Sequence, residues 1–394
     1  MTGRRGMANP LMLSTIAMIR GGPAPAVDWS ETLDAGTNVA YHTNPALLPG
    51  SNIADRSAQL ALDGNIQMAT EVSQLTVTPR LAVIRYDQEK NLDLTTGSLA
   101  LSYQDKGERG QWNASGLAQT DSTLTSELGQ TGITNVNFRH NGYNATLGYQ
   151  YLATERLSWS LQGSGQIAQY NSEAQQYGLS PYKYGGIQLG PTWSFSDRLD
   201  GSLSIGADRV SPQNSATEKD YSANAQLKRS LTEKYSWRIS AGATRVEVPG
   251  STATPTSAVF ELGATRQGER VQWDLSAKRA VLPIGLGLLA REDVAALSAV
   301  VTVSERSTLN LSCSVIRTDP VSISFYLAPG ISLGYQVYSG AAWGQASAEW
   351  QYHFSPQWAL SAAYTQARAR NYSVAEWANG NQGRLGILWQ SGRL

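Results

Sequence analysis

Apolar and polar residues alternate in segments of about ten residues or more along nearly the whole chain, and this alternation limits the possible folds more than any other feature. Leu157, Trp159, Leu161, Gly163, Gly165 and Ile167 are interleaved with Ser158, Ser160, Gln162, Ser164 and Gln166. The same pattern sets Tyr235, Trp237, Ile239, Ala241 and Ala243 against Ser236, Arg238, Ser240, Gly242 and Thr244. It sets Val271, Trp273, Leu275 and Ala277 against Gln272, Asp274, Ser276 and Lys278, and Ala346, Ala348, Trp350, Tyr352 and Phe354 against Ser347, Glu349, Gln351 and His353. Successive side chains of a strand point to opposite faces, so each segment has one apolar face and one hydrogen-bonding face. Strands of soluble sheets average about 5–6 residues, whereas a tilted strand that crosses a bilayer needs ~9–11.

Between the segments recurs a tight polar turn. It is read at Ala69-Thr70-Glu71, Lys106-Gly107-Glu108-Arg109, Ala153-Thr154-Glu155-Arg156, Ser196-Asp197-Arg198, Thr232-Glu233-Lys234, Gly268-Glu269-Arg270, Ser304-Glu305-Arg306 and Ser355-Pro356-Gln357. Longer connections rich in Gly, Asn and Pro separate these turns, at 44–52, 122–131, 171–181, 211–217, 249–256, 283–293, 320–330 and 371–381. Short turns on one side and long loops on the other make an antiparallel meander. Eight short turns join nine up-and-down pairs, which gives 18 strands if the segment from Trp29 to Tyr41 belongs to the sheet, and 16 as the alternative.

In hydrocarbon every backbone N–H and C=O must find a partner, so a spanning sheet has to close on itself. The expectation is therefore an all-β, single-domain, up-and-down antiparallel transmembrane barrel, with both termini and the short turns in the periplasm and long extracellular loops. Composition agrees with a chain that faces two solvents. Charged residues make up 16%, mean hydropathy is still −0.30, and Trp (11) and Tyr (18) far outnumber Phe (5). Rings with an apolar body and a polar tip suit a lipid–water boundary. An aromatic girdle on the turn side is expected from Trp112, Trp159, Trp193, Trp237, Trp273, Phe354 and Trp358.

The N-terminus carries Arg4 and Arg5 before the apolar run 11–19, then Ala24-Pro25-Ala26, the pattern of a cleaved export signal. Residues 1–26 are read as that signal and 27–394 as the barrel. The longest apolar run, Val281 to Ala290, is broken by Pro283 and two glycines and falls short of the ~20 residues of a membrane helix.

The order of several motifs resembles a group of Gram-negative outer-membrane barrels that are porin-like or occur with exopolysaccharide-secretion genes. The carriers are Asn38-Val39-Ala40-Tyr41-His42-Thr43-Asn44-Pro45 with Leu48-Pro49-Gly50, residues 121–128 with Thr131-Gly132, Leu152-Ala153-Thr154-Glu155-Arg156-Leu157-Ser158, and Gly285-Leu286-Gly287 before Arg291-Glu292-Asp293. The resemblance implies an outer-membrane barrel and an association with extracellular polysaccharide. One departure is the end of the chain: such barrels finish on an aromatic residue, whereas here Leu385, Ile387 and Trp389 are followed by Gln390-Ser391-Gly392-Arg393-Leu394.

Little in the sequence points to catalysis. One Cys permits neither a disulfide framework nor a thiolate zinc site, and Cys313, in step with Leu309, Leu311 and Val315, is expected to face lipid. A membrane hydrolase would need a His beside a Ser and an acid, for which His140 with Asp121 and Ser122 is the one candidate. Gly285-Leu286-Gly287 lacks the βαβ setting of a phosphate loop and is expected to fold over or into the barrel mouth. No cofactor or metal is expected.

What remains is the inner face, where alternation places Lys228, Arg238, Asp274, Lys278, Glu349 and His353, with Asp208 near a strand end. A lumen of 16–18 strands is wide enough for water. Two readings stay open, a pore for hydrophilic solutes, saccharides among them, and a barrel that anchors partner-binding loops. The expected partners are outer-membrane lipid, periplasmic chaperones, the barrel-insertion machinery and, through the resemblance, polysaccharide-secretion components. Equal numbers of Lys+Arg and Asp+Glu, 31 each, give no reason to expect nucleic acid.

Overall fold

The computed structural model describes residues 27–130, 137–213, 216–247, 254–321, 340–371 and 376–391. The expected signal segment 1–26 and the Thr131-Gly132 motif lie outside the described residues, as do parts of the connections at 249–256, 320–330 and 371–381.

Eighteen strands follow one another along the chain: β1 (Asp28–Thr43), β2 (Ala54–Ala69), β3 (Ser73–Tyr86), β4 (Leu94–Lys106), β5 (Gly110–Ser122), β6 (Arg139–Thr154), β7 (Leu157–Tyr170), β8 (Tyr182–Ser196) and β9 (Leu199–Pro212) form the first half. The second half is β10 (Glu218–Ser230), β11 (Tyr235–Glu247), β12 (Thr256–Gln267), β13 (Val271–Pro283), β14 (Leu289–Ser304), β15 (Ser307–Pro320), β16 (Ala341–His353), β17 (Trp358–Asn371) and β18 (Ala378–Gln390). A short helix, α1 (Thr123–Gln130), lies between β5 and β6. Every strand pairs antiparallel with its sequence neighbours, and β1 pairs with both β2 and β18, so the sheet closes without a free edge. The seam runs from Asp34 opposite Gln390 to Thr43 opposite Asn381.

The strand count of 18 matches the first sequence reading rather than the alternative of 16. The eight short turns fall where the polar turn motifs stand. What holds them is less the charge than a hydroxyl. The Thr70 Oγ1 accepts from the Ser73 amide at 2.9 Å, Thr154 Oγ1 from Leu157 at 3.1 Å, Thr232 Oγ1 from Tyr235 at 3.1 Å and Ser355 Oγ from Trp358 at 3.0 Å. Ser196 and Ser304 accept from the amide two residues on, at 3.4 Å each. The remaining two turns begin at Gly107 and Gly268 instead. Hydroxyl side chains that close a turn onto their own backbone are a local substitute for a backbone turn bond.

Strands of 12 to 16 residues, at about 3.3 Å each, exceed what a tilted crossing of the ~30 Å hydrocarbon layer requires. Their middles carry the apolar exterior: Val39, Ile205 and Leu385 are each more than 60% exposed, and Leu60, Leu147, Leu203, Leu227, Ile239 and Leu275 stand out beside them. Among the described residues, no buried apolar cluster lies in the barrel's middle. The main buried apolar cluster comprises Ala168, Tyr170, Ala174, Leu179, Tyr182, Val210, Val246 and Leu289, all at or near the ends of strands that meet the long connections.

The outward face predicts its own test. Ile205→Arg, near the middle of β9, should cost about 2–4 kcal/mol of barrel stability. Ser204→Arg, one residue away on the inner face, should cost much less. Reversible denaturant unfolding in detergent micelles measures both; equal losses would mean that the two faces are not divided between lipid and water.

Candidate functional site: the barrel interior

The register places each expected inner-face residue. Lys228 lies between Asp200 on β9 and Arg238 on β11. Arg238 donates through Nε to Glu261 Oε1 at 2.6 Å, and Lys278 stands opposite Glu261 in the next ladder. Asp274 accepts from the Thr265 hydroxyl at 2.7 Å. Glu349 meets Arg384 of β18 at 3.3 Å. His353 ends β16 opposite Ala359, its amide bonded to the Arg306 carbonyl at the short-turn end. Among the described residues, neither Lys228 nor Lys278 has a carboxylate within ion-pair distance.

Sequence reasoning missed Asp34, Asp63, Arg80, Glu218, Asp220, Glu261 and Arg384 on this face. Arg80 and Asp63 pair at 3.1 Å. The signal was present for several: Glu261 lies between Phe260 and Leu262, and Arg384 precedes the outward Leu385. Asp208 accepts from the Tyr184 hydroxyl at 2.9 Å and stands opposite Asp220, whose Oδ1 is buried without a hydrogen-bond partner. A Cβ at Gly186 would sit 1.6 Å from the Asp208 carboxylate, so that position must be glycine for Asp208 to lie along the wall.

Between these charges the wall is hydroxyl and amide. Gln188 Nε2 donates to Ser204 Oγ at 2.8 Å, Gln166 Nε2 to the Tyr182 hydroxyl at 3.0 Å, and Ser202 to Gln226 at 3.4 Å. A cavity of about 300 Å³ runs along β8 to β13, lined by Gln188, Ser202, Ser204, Ser222, Asn224 and Ser240 together with Asp208, Asp220 and Lys278.

Connections at the long-loop end turn inward and narrow the mouth. The segment after β13 packs Ile284 into it, and the Leu289 amide that opens β14 donates to Glu218 Oε2 at 2.8 Å. The Ser180 amide donates to the Gly285 carbonyl at 2.9 Å, and a Cβ at Gly285 would strike the Glu127 carboxylate of α1 at 2.4–2.8 Å. Glu127 in turn accepts from the Tyr170 hydroxyl at 2.5 Å. The motif Gly285-Leu286-Gly287 is thus the bare backbone that lets three inward segments meet. On the far side Asn44 organises the first long connection: its side chain donates to the Leu48 and Asn379 carbonyls and accepts from the Leu48 amide. That arrangement drives Leu47 against Ala369 and Ala378 on the inner wall.

No family model matches the chain, and no curated protein matches it by sequence. It is similar to several solved structures. OccAB4 of Acinetobacter baumannii shares 8% identity at a TM-score of 0.43, over 92% of this chain and 98% of that one. OpdH (OccK5) of Pseudomonas aeruginosa shares 8% at 0.45, over 93% and 99%. OprD of Pseudomonas aeruginosa shares 10% at 0.42, over 92% and 95%.

The girdle residues lie on the outward face beside the short turns. Trp112, Trp159, Trp237 and Trp273 are each the third residue of their strand, Trp193 is near the end of β8, Phe354 follows β16 and Trp358 opens β17. Trp112 packs on Tyr149 with ring centroids 4.5 Å apart. Trp29, Trp350 and Trp389 share this face and had not been singled out. Cys313 stands on it too, exposed, between Leu297 and Ala346.

The hydrolase candidate does not assemble among the described residues. His140 Nδ1 and Asp121 Oδ1 do lie 2.8 Å apart, but the His140 ring stacks on Tyr170. The Ser122 hydroxyl donates to Asn137 Oδ1 at 2.5 Å, and Ser122 pairs with Arg139 rather than with His140. An acid and a base meet here without the serine.

Single cysteines read the two faces directly. In a Cys313→Ser background, Lys228→Cys and Lys278→Cys should react with a charged, water-soluble thiol reagent, while Leu227→Cys in lipid vesicles should not. Protection of both lysine positions would remove them from a water-filled interior.

Proposed function

We propose that the protein is a porin-like channel of the Gram-negative outer membrane that passes hydrophilic solutes, saccharides foremost, without a cofactor or covalent step. The observation that carries this reading is the inner wall of β7 to β13. There hydroxyls and amides offer donors and acceptors side by side, and among the described residues Lys228 and Lys278 have no carboxylate within ion-pair distance. A neutral polyhydroxylated solute exchanges its water hydrogen bonds for such a wall at little net cost. The short turns face the periplasm in this reading, and the inward-folded connections form a size filter at the outer mouth. The chain reaches the membrane through a cleaved signal at residues 1–26, periplasmic chaperones and the insertion machinery. A link to polysaccharide secretion is the narrower form of the same proposal.

Purified, folded protein in planar bilayers should show stepwise conductance, and repeated silence would favour a barrel that serves only as an anchor. Arg238→Glu and Lys278→Glu should each move the cation-to-anion permeability ratio several-fold toward cations. Glu218→Ala, which frees the Leu289 amide, should raise unit conductance by loosening the 284–289 segment. Liposome swelling with saccharides of graded size then measures the filter, and a cut-off unchanged by Glu218→Ala would place the constriction elsewhere.

A further inference from the structure

The outward rim at the long-connection end divides into two electrically different sectors. On β13 to β15 the cations are compensated. Arg279 grips Asp293 with two hydrogen bonds of 2.5 and 2.8 Å, while Asp319 receives Arg291 at 2.6 Å and Arg317 at 3.1 Å. On β2 and β3 the compensation is weaker. Arg56, opposite Tyr41, has no carboxylate within ion-pair distance among the described residues. The Arg85 guanidinium is held in place by the Ile84 and Leu94 carbonyls and by Thr95, with Asp93 only at 3.9 Å, and its side chain remains half exposed.

Beneath this weakly compensated sector the outer wall is hollowed. A groove of about 930 Å³ descends from Arg56, Arg85 and Lys90 across β1 and β18 to β16, with Asp87 the single acid on its lining. Its floor is made of small residues, Ala58, Ala348, Ala362 and Gly383. A Cβ at Gly383 would meet nothing within 4 Å. Tyr364, Trp350 and Leu385 stand as its apolar walls. Elsewhere on the barrel such a surface would meet lipid tails of any kind, but here the apolar trough ends at Arg56, with no carboxylate within ion-pair distance among the described residues, and at Arg85, whose Asp93 stands at the limit of that distance.

We propose that this groove binds a phosphate-bearing, multiply acylated lipid of the outer leaflet, its chains in the Ala/Gly trough and its phosphate on Arg56 and Arg85. The inference uses the outer-membrane reading only to say which leaflet supplies the lipid. Guanidinium groups recognise phosphate through paired, charge-assisted hydrogen bonds. Fixed cations beside a headgroup layer also favour anionic lipids over neutral ones. The inward Lys228 and Lys278 play no part.

Native mass spectrometry of the full-length protein in neutral detergent tests the site with three probes: diphosphoryl lipid A, its phosphate-free counterpart, and inorganic phosphate. Wild type should retain the diphosphoryl lipid in preference to the phosphate-free one, and inorganic phosphate alone should not be retained. Arg56→Gln combined with Arg85→Gln should weaken that binding at least tenfold. Gly383→Leu should do the same with every charge in place, and Arg291→Gln in the compensated sector should leave it unchanged. Heat-modifiable gel mobility verifies that each variant is folded, and bilayer conductance, which the site should not alter, separates failure of this inference from failure of the channel reading. Equal retention of both lipids by wild type, undiminished retention by the Arg56/Arg85 double variant, or a second copy of the chain cross-linked across the groove would overturn it.

Discussion

The organising constraint is the backbone's need for hydrogen-bond partners where water is absent. A single strand, β1, meets that need for the whole sheet by pairing with β2 on one side and β18 on the other. Once the ring closes, every strand has two ladders, and the only freedom left is which face meets which solvent. The period-2 alternation answers that, because slipping any strand by one residue would turn Leu203 and Ile205 inward and Ser202 and Ser204 into lipid. Stability therefore comes from two separations at once, ladder closure along the ring and solvent division through the wall, rather than from a packed interior.

The ring and its strand count were legible in the sequence because each depends on local spacing. The long connection at Asp87 to Asp93 was not, since it contains neither Gly nor Pro. It is built by carboxylates instead: Asp55 accepts from the Gln88 and Glu89 amides, and Asp93 from the Tyr86 amide. The short turns were found through their acidic and basic residues, yet the hydroxyl or glycine at the front of each turn is what closes it. Charge marked the site because turns are solvated, not because the turn needs it.

The inner site was legible only by halves. Alternation puts Arg238 and Glu349 inside, but their partners Glu261 and Arg384 depend on the register between strands, which a single sequence does not encode. Hence a list of inward charges reads as an unpaired set, while the structure shows which are neutralised and leaves Lys228 and Lys278 apart. The Asp121–His140 contact shows the converse: two residues anticipated together do meet, and the chemistry still fails because Ser122, one residue along, belongs to the opposite face.

The two-solvent rule breaks on both faces at the long-connection end. Inside, Tyr170, Val210 and Val246 are apolar where alternation expects polarity, and they are buried because inward-folded connections cover them. Outside, Arg56 and Arg85 are charged where alternation expects apolar side chains, at a level where strands of 12 to 16 residues have outrun the hydrocarbon. Apolar residues lining the mouth fix the segments that narrow it, and cations around the rim fix what lies against it. At the short-turn end the exceptions, Arg229 opposite Trp237 and Arg266 opposite Trp273, stand on the outward face among the aromatic rings, where long basic side chains reach from the apolar layer to water.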